Sequence, residues 1–99
     1  MTKLTQTGSS SWSLDGELTF ATVAGILNGG PKLNLAEVVV LDLSSVTRGD
    51  SAGLALLVEW LRVARDQGGT LEFTGLPKDM VRLARVADLD ILIRNKHSY

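Results

Sequence analysis

The sequence predicts a single α/β domain over residues 1–99, a small mixed β-sheet with helices packed against it and an N-terminal hairpin. The first reason is that residues 37–43 form an apolar, β-branched run without alternation, which is typical of a parallel strand buried on both faces. The second is the order of the segments after it. Strand, helix, strand, helix is the order of α/β folds with right-handed crossovers. A length of 99 residues fits one domain.

Composition excludes several classes of function. The chain is 44% hydrophobic and 21% charged, as expected of an ordered domain. Its net charge is −1 and it has no long basic cluster, so we expect neither nucleic-acid nor lipid-headgroup binding. No cysteine is present, which excludes disulfides and thiol catalysis. The N-terminus lacks a secretory signal and no apolar run approaches the ~20 residues of a spanning helix, so we expect a cytoplasmic protein.

The first third of the chain predicts a hairpin and a helix. Residues 3–14 indicate two short strands around the turn TGSS, because apolar and polar residues alternate at the end of this segment. The following segment predicts a helix with one apolar stripe, ended by the loop NGGP at 28–31. The stripe consists of Phe20, Val23, Ala24 and Leu27.

The remaining elements follow the strand at 37–43. A polar turn, SSVTRGD, leads into a helix from about Ser51 to Asp66, and residues 70–75 form another strand. Pro77 suits the first position of the next helix. One face of that helix carries Met80, Val81, Ala84 and Ala87. A short strand is predicted at 91–93, and the tail RNKHSY carries no signal.

The helix from 51 to 66 is apolar on two sides when its residues are placed about 100° apart. The predicted core face consists of Leu54, Leu57, Val58, Leu61 and Ala64. A second stripe on the opposite side consists of Ala52, Leu56, Val63 and, at its margin, Trp60. Either another element of the domain covers this stripe, or it is exposed for a partner. We predict the partner surface.

Asp50 and Ser51 stand before this helix, at the carboxyl end of the buried strand, where α/β folds place their sites. Asp50 is a good N-cap, accepting from the N–H of Ala52 or Gly53, and Gly53 allows a tight entry. Ser51 is either an ordinary first-turn residue or a functional one. A phosphoryl group on its hydroxyl would meet the positive end of the helix dipole.

The segments LDLSSVTRGDSAGLALL and LDGEL resemble the STAS domain family, over about residues 8–93. In that family a buried strand runs into a D-S-(S/A/G)-G-L turn and a helix. The resemblance implies that Ser51 corresponds to the hydroxyl that kinases phosphorylate in anti-sigma factor antagonists, and Asp50 to its acidic neighbour. Ala52 departs from the second serine of many antagonists, which weakly disfavours such a switch.

Within the family, DSAGLALLVEWLRVARDQGG is most similar to MlaB-like proteins, cytoplasmic STAS subunits of Gram-negative phospholipid ABC transporters. That likeness implies a non-catalytic subunit that docks on the ATPase through Ser51 and the outer helix face, beside a permease. It would meet the inner membrane only through the complex. A phosphorylation-switched antagonist is the alternative.

An enzymatic role is not expected. His97 is the one histidine and lies in the tail, so a hydrolase using Ser51 would lack a base. Neither a metal site nor a cofactor is predicted, because no cluster of ligand residues has suitable spacing.

Overall fold

The computed structural model describes residues 2–26, 30–31 and 37–88. Five strands and three helices lie in this part of the chain, in the order β1 (Lys3–Gly8), β2 (Ser11–Leu18), α1 (Phe20–Ile26), β3 (Val38–Asp42), β4 (Val46–Gly49), α2 (Ser51–Asp66), β5 (Thr70–Thr74) and α3 (Lys78–Val86). The predicted mixed α/β class is confirmed. The strand predicted at 91–93, the tail and Leu27 lie outside the described residues.

The sheet has the order β1-β2-β3-β5, with β4 paired to β2. Strand β1 is antiparallel to β2, and the other pairings are parallel. The prediction that residues 44–50 are only a turn is wrong for β4. Because β2 continues to Leu18, its last residues extend past the end of β3, and β4 pairs with them.

Burial alternates along β3 and β5, which corrects the prediction of a sheet covered on both faces. Val39 and Leu41 are buried, whereas Val38 is 45% exposed. The registers place Leu71 and Phe73 of β5 on the same face as these two residues. Among the described residues, α2 contacts both α1 and α3, so the three helices form one layer on that face.

Helix α2 has one wide buried arc instead of two apolar stripes. Leu56 is 2% exposed and Trp60 is 5% exposed, so the prediction that they lie on a solvent-facing stripe is wrong. Helix α1 packs beside α2, and Gly30 lies against the Trp60 indole, where an added Cβ would be 2.8 Å from Nε1. Another part of the same chain therefore covers this side of α2.

The stripe predicted for α1 is also partly wrong. Phe20 and Ala24 are exposed, whereas Val23 and Ile26 pack against the core. Helix α1 begins only at Phe20, so the inward face of this short helix starts one turn later. In α3, Met80 and Ala84 are buried and Val81 is half-buried as predicted, but Ala87 is exposed beyond the end of the helix.

Gly53 and Gly25 form a matched pair of helical glycines. A Cβ on Gly53 would lie 2.9 Å from Leu18 Cγ and closer still to the Leu18 carbonyl oxygen, whereas a Cβ on Gly25 would meet nothing within 4 Å. We expect Gly53→Ala to lower the free energy of unfolding by about 1–3 kcal/mol through overpacking. Gly25→Ala should raise it by about 0.5–1 kcal/mol. Urea unfolding measures both, and stabilisation by Gly53→Ala would contradict the close packing of α2 on β2.

Replacing Trp60 tests whether α2 is covered on this side. Trp60→Ala should lower the free energy of unfolding by about 3–5 kcal/mol, because it leaves a cavity in the core. The control is Ala55→Gln on the exposed face of the same helix, which should change this energy by no more than about 0.5 kcal/mol. Chemical denaturation followed by circular dichroism gives both values. Equal stabilities of the two variants would mean that Trp60 is not a core residue.

Candidate partner-docking site

The site is organised by the carboxylate of Asp50, which follows β4 directly. Its Oδ1 accepts the backbone N–H groups of Ala52 and Gly53, at 3.0 and 3.1 Å. Its Oδ2 accepts the backbone N–H of Phe20, the first residue of α1, at 3.0 Å. The predicted N-cap is therefore confirmed, and the same side chain also connects the start of α1 to the start of α2.

These hydrogen bonds hold the pKa of Asp50 below its ordinary value of 3.8. The bond from the Phe20 N–H is the largest cause. Partial burial acts against it, and the Gly53 and Ala52 N–H groups and the positive charge of Arg48 lower the pKa further. The N–H donors stabilise the negative charge, so the carboxylate is held in its charged form.

Ser51 is the first residue of α2, and its side chain is exposed. Asp50 already accepts two of the N–H groups at this helix end, so its negative charge occupies the place an added anion would take. A phosphoryl group on Ser51 would lie next to this carboxylate and would be repelled by it. The structure thus places an accessible hydroxyl next to a charged carboxylate.

The other residues predicted to bind a partner are not equally accessible. Ala52 and Val63 are half-buried, while Leu56 and Trp60 belong to the core. Gly53 packs on Leu18, as a turn-shaping residue should. Of the predicted set, Ser51 is the fully exposed member, with Ala52 beside it.

Charge divides the exposed face of α2 into two parts. Towards its C-terminus, Arg62 pairs with Glu59 at 2.6 Å and with Asp66 at 2.7 Å. The Arg62 charge lowers the pKa of Glu59, mainly through a side-chain hydrogen bond. The first turns instead expose Ser51 and Ala55. The exposed side chains of the first turns are therefore uncharged, next to the Asp50 carboxylate, whereas the C-terminal half of the helix carries ion pairs.

The exposure of Phe20 was not predicted from the sequence. Its side chain is 84% exposed, although it was predicted to belong to an apolar stripe. Placing the start of α1 directly after Thr19 would have predicted the exposure of Phe20. The Thr19 N–H donates to the Thr22 hydroxyl, as in a capping box at a helix N-terminus. Phe20 is the first residue of α1, one turn before Val23, where packing against the core begins.

The described residues hold no group of three or more His, Cys, Asp or Glu side chains suited to a metal ion. Within the same residues, no helix combines the length and the apolar character required to cross a membrane. His97, considered above as a catalytic base, lies outside the described residues.

The sheet, the three-helix layer and the Asp50–Ser51 turn together define an STAS domain. The sequence matches the family model described as "Mlab, STAS domain" over residues 3–94, so the chain belongs to this MlaB-type STAS domain family. A search of curated proteins gave no significant match.

Two solved structures share the fold. A sulfate transporter family protein from Wolinella succinogenes is 16% identical with a TM-score of 0.66, covering 97% of this chain and 80% of the other. The anti-sigma factor antagonist SpoIIAA in its unphosphorylated form is 14% identical with a TM-score of 0.61, covering 86% of this chain and 82% of the other. At such identities the likeness extends to the fold alone.

The Asp50 carboxylate gives stability a defined dependence on pH. Asp50→Ala should cost about 1–3 kcal/mol of unfolding free energy at pH 7, through a lost N-cap and an unpaired Phe20 N–H. A depressed folded pKa means that this contribution is fully present above 3.8, the ordinary value, and is lost as the pH falls through the folded pKa. Denaturation curves of both proteins between pH 7 and about pH 2 should therefore converge in acid. If the difference in unfolding free energy between wild type and Asp50→Ala stayed constant over this pH range, the role of the charge would be contradicted.

Proposed function

We propose that the chain is a non-catalytic STAS subunit that binds and supports the ATPase of an ABC-type phospholipid transporter of the Mla kind. In this proposal the transporter maintains outer-membrane lipid asymmetry in a Gram-negative cell. Nucleotide and lipid bind the other subunits, the ATPase and the permease. The chain itself is cytoplasmic and reaches the inner membrane only through the complex.

The observation that carries the proposal is the position of Ser51. It is an exposed, neutral hydroxyl at the start of α2, next to a carboxylate whose oxygens already accept backbone N–H groups. Such a hydroxyl can exchange a hydrogen bond with a partner without moving the backbone. Membership in the MlaB-type family, over residues 3–94, supports a partner of the transporter class.

The proposed docking surface consists of Ser51, Ala52 and the exposed N-terminal turns of α2, with Val63 at its edge. Leu56 and Trp60 contribute to it from beneath, because their burial fixes the position of α2 on the domain. The ion pairs of Arg62 form a charged rim. An uncharged centre with a charged rim is the usual arrangement of a protein–protein interface.

A second candidate is an anti-sigma factor antagonist switched by phosphorylation of Ser51. The observation that favours it is the exposure of the Ser51 hydroxyl, which leaves it accessible to a kinase. Ala52 in place of a second serine weighs weakly against it.

Recovery of the native partner separates the two candidates. The tagged chain is purified from gently solubilised membranes of its own organism, and the proteins that accompany it are identified by mass spectrometry. An ABC ATPase with its permease would support the proposed function. A soluble serine-kinase anti-sigma factor, without these subunits, would overturn it in favour of the switch.

Substitutions of Ser51 test the docking surface in the same complex. Ser51→Ala removes one hydrogen bond and should weaken ATPase binding by about 2–10-fold. Ser51→Asp should weaken it by more than about 10-fold, because it adds an unpaired charge beside Asp50 at an uncharged contact. ATPase activity of the assembled complex should fall in the same order.

The control is Ser9→Asp in the exposed β1–β2 turn. This turn adjoins the start of β2, whereas Asp50 contacts its last residue, Leu18, through a backbone hydrogen bond. The two ends of an eight-residue strand are about 23 Å apart. Full binding by Ser51→Asp, or equal losses in both variants, would exclude Ser51 from the contact.

A further inference from the structure

Helix α1 presents an uncharged face with one large side chain. None of its residues is charged, and Phe20 is 84% exposed at its start. Ala21, Ala24 and Gly25 are also exposed, and a Cβ on Gly25 would meet open space. An exposed aromatic ring loses nothing by leaving water, and burying it is favourable.

The position of Phe20 is fixed by the same carboxylate that caps α2. The Phe20 N–H donates to Asp50 Oδ2, while Oδ1 accepts from Ala52 and Gly53. Ser51 lies between the carboxylate and these two donors in the chain. The two oxygens of one carboxylate thus hold Phe20 and, much further along the chain, the helix turn that begins with Ser51.

We propose that Phe20 is a second anchoring residue of the docking surface and that Asp50 is the positioning residue that presents it. This proposal rests on the proposed function, and the occupant is the same ATPase subunit. The ATPase surface would offer an apolar pocket for the Phe20 ring next to a hydrogen-bonding group for Ser51.

Charge complementarity restricts the occupant to an uncharged surface at this point. Helix α1 has no charge to offer, and the Asp50 carboxylate already accepts hydrogen bonds on both oxygens. A charged partner group placed over α1 would lose its hydration and gain no counter-charge from that helix, which is costly. An apolar pocket loses nothing, and because the Phe20 backbone is already held by Asp50, only the ring has to be ordered on binding.

Asp50→Asn separates the two roles of this side chain, which are to cap α2 and to accept the Phe20 N–H. Asparagine is as good an N-cap as aspartate, so its amide oxygen still accepts from Ala52 and Gly53. Its NH₂ group then faces the Phe20 N–H, and two donors cannot bond each other. This variant therefore releases Phe20 while α2 stays capped.

The test measures affinity of the purified chain for the detergent-solubilised ATPase–permease complex. Phe20→Ala should weaken binding by about 10–100-fold, as expected of an aromatic anchor. The control, Val86→Ala, removes the side chain of an 86% exposed apolar residue of α3 and should leave affinity within about 2-fold. Asp50→Asn should weaken binding several-fold in the wild-type background and hardly at all in the Phe20→Ala background.

Urea unfolding of the same five proteins measures stability separately, since a purely structural role would change stability without a specific change in affinity. Equal affinity of Phe20→Ala and wild type, with Ser51→Asp still impaired, would overturn this inference and leave the proposed function intact. Independent, multiplying effects of Phe20→Ala and Asp50→Asn on affinity would overturn the positioning role. Absence of any ATPase among the recovered partners would overturn both proposals.

Discussion

The carboxylate of Asp50 is the interaction on which the arrangement of this site depends. It accepts N–H groups from the first turns of α1 and α2, and its own N–H donates to the carbonyl of Leu18 at the end of β2. Gly53 lets α2 approach that same carbonyl. Two helices and a strand end therefore meet at one residue. Because the Phe20, Ala52 and Gly53 N–H groups share one negatively charged acceptor, these three hydrogen bonds are coupled to one another.

Interactions between residues close in sequence could be predicted, whereas contacts between residues far apart in sequence could not. The capping of Ala52 and Gly53 follows from Asp50 standing two and three residues before them, a relation that the sequence alone supplies. The bond to Phe20 spans 30 residues, and no periodicity encodes it. The prediction of β4 as a turn failed for the same reason. Its partner, the second half of β2, became available only because β2 extends beyond the predicted hairpin.

The two-sided appearance of α2 shows how a helical projection misleads in a small domain. The projection was centred on Leu54, but the buried arc runs from Leu56 through Trp60 and Leu57 to Leu54. An arc that wide arises because α2 packs on the sheet while α1 and α3 flank it on both sides. Apolar residues at the two edges of one wide buried arc resemble two separate apolar faces when the elements that pack on the helix are not known. The most exposed large apolar residues of the described chain lie instead on the flanking helices, with Phe20 at the start of α1 and Val86 at the end of α3.

The geometry of the Asp50–Ser51 turn bears differently on the two candidate functions. A docking contact uses Ser51 as it stands, with a neutral hydroxyl beside a satisfied carboxylate. A phosphorylation switch would place about two negative charges next to Asp50 at neutral pH, where the helix N–H groups that could stabilise them are already engaged. The phosphoryl group would then have to displace Asp50, and with it the bond to Phe20. Docking and switching therefore make opposite demands on the charge next to the one carboxylate that holds both helix starts.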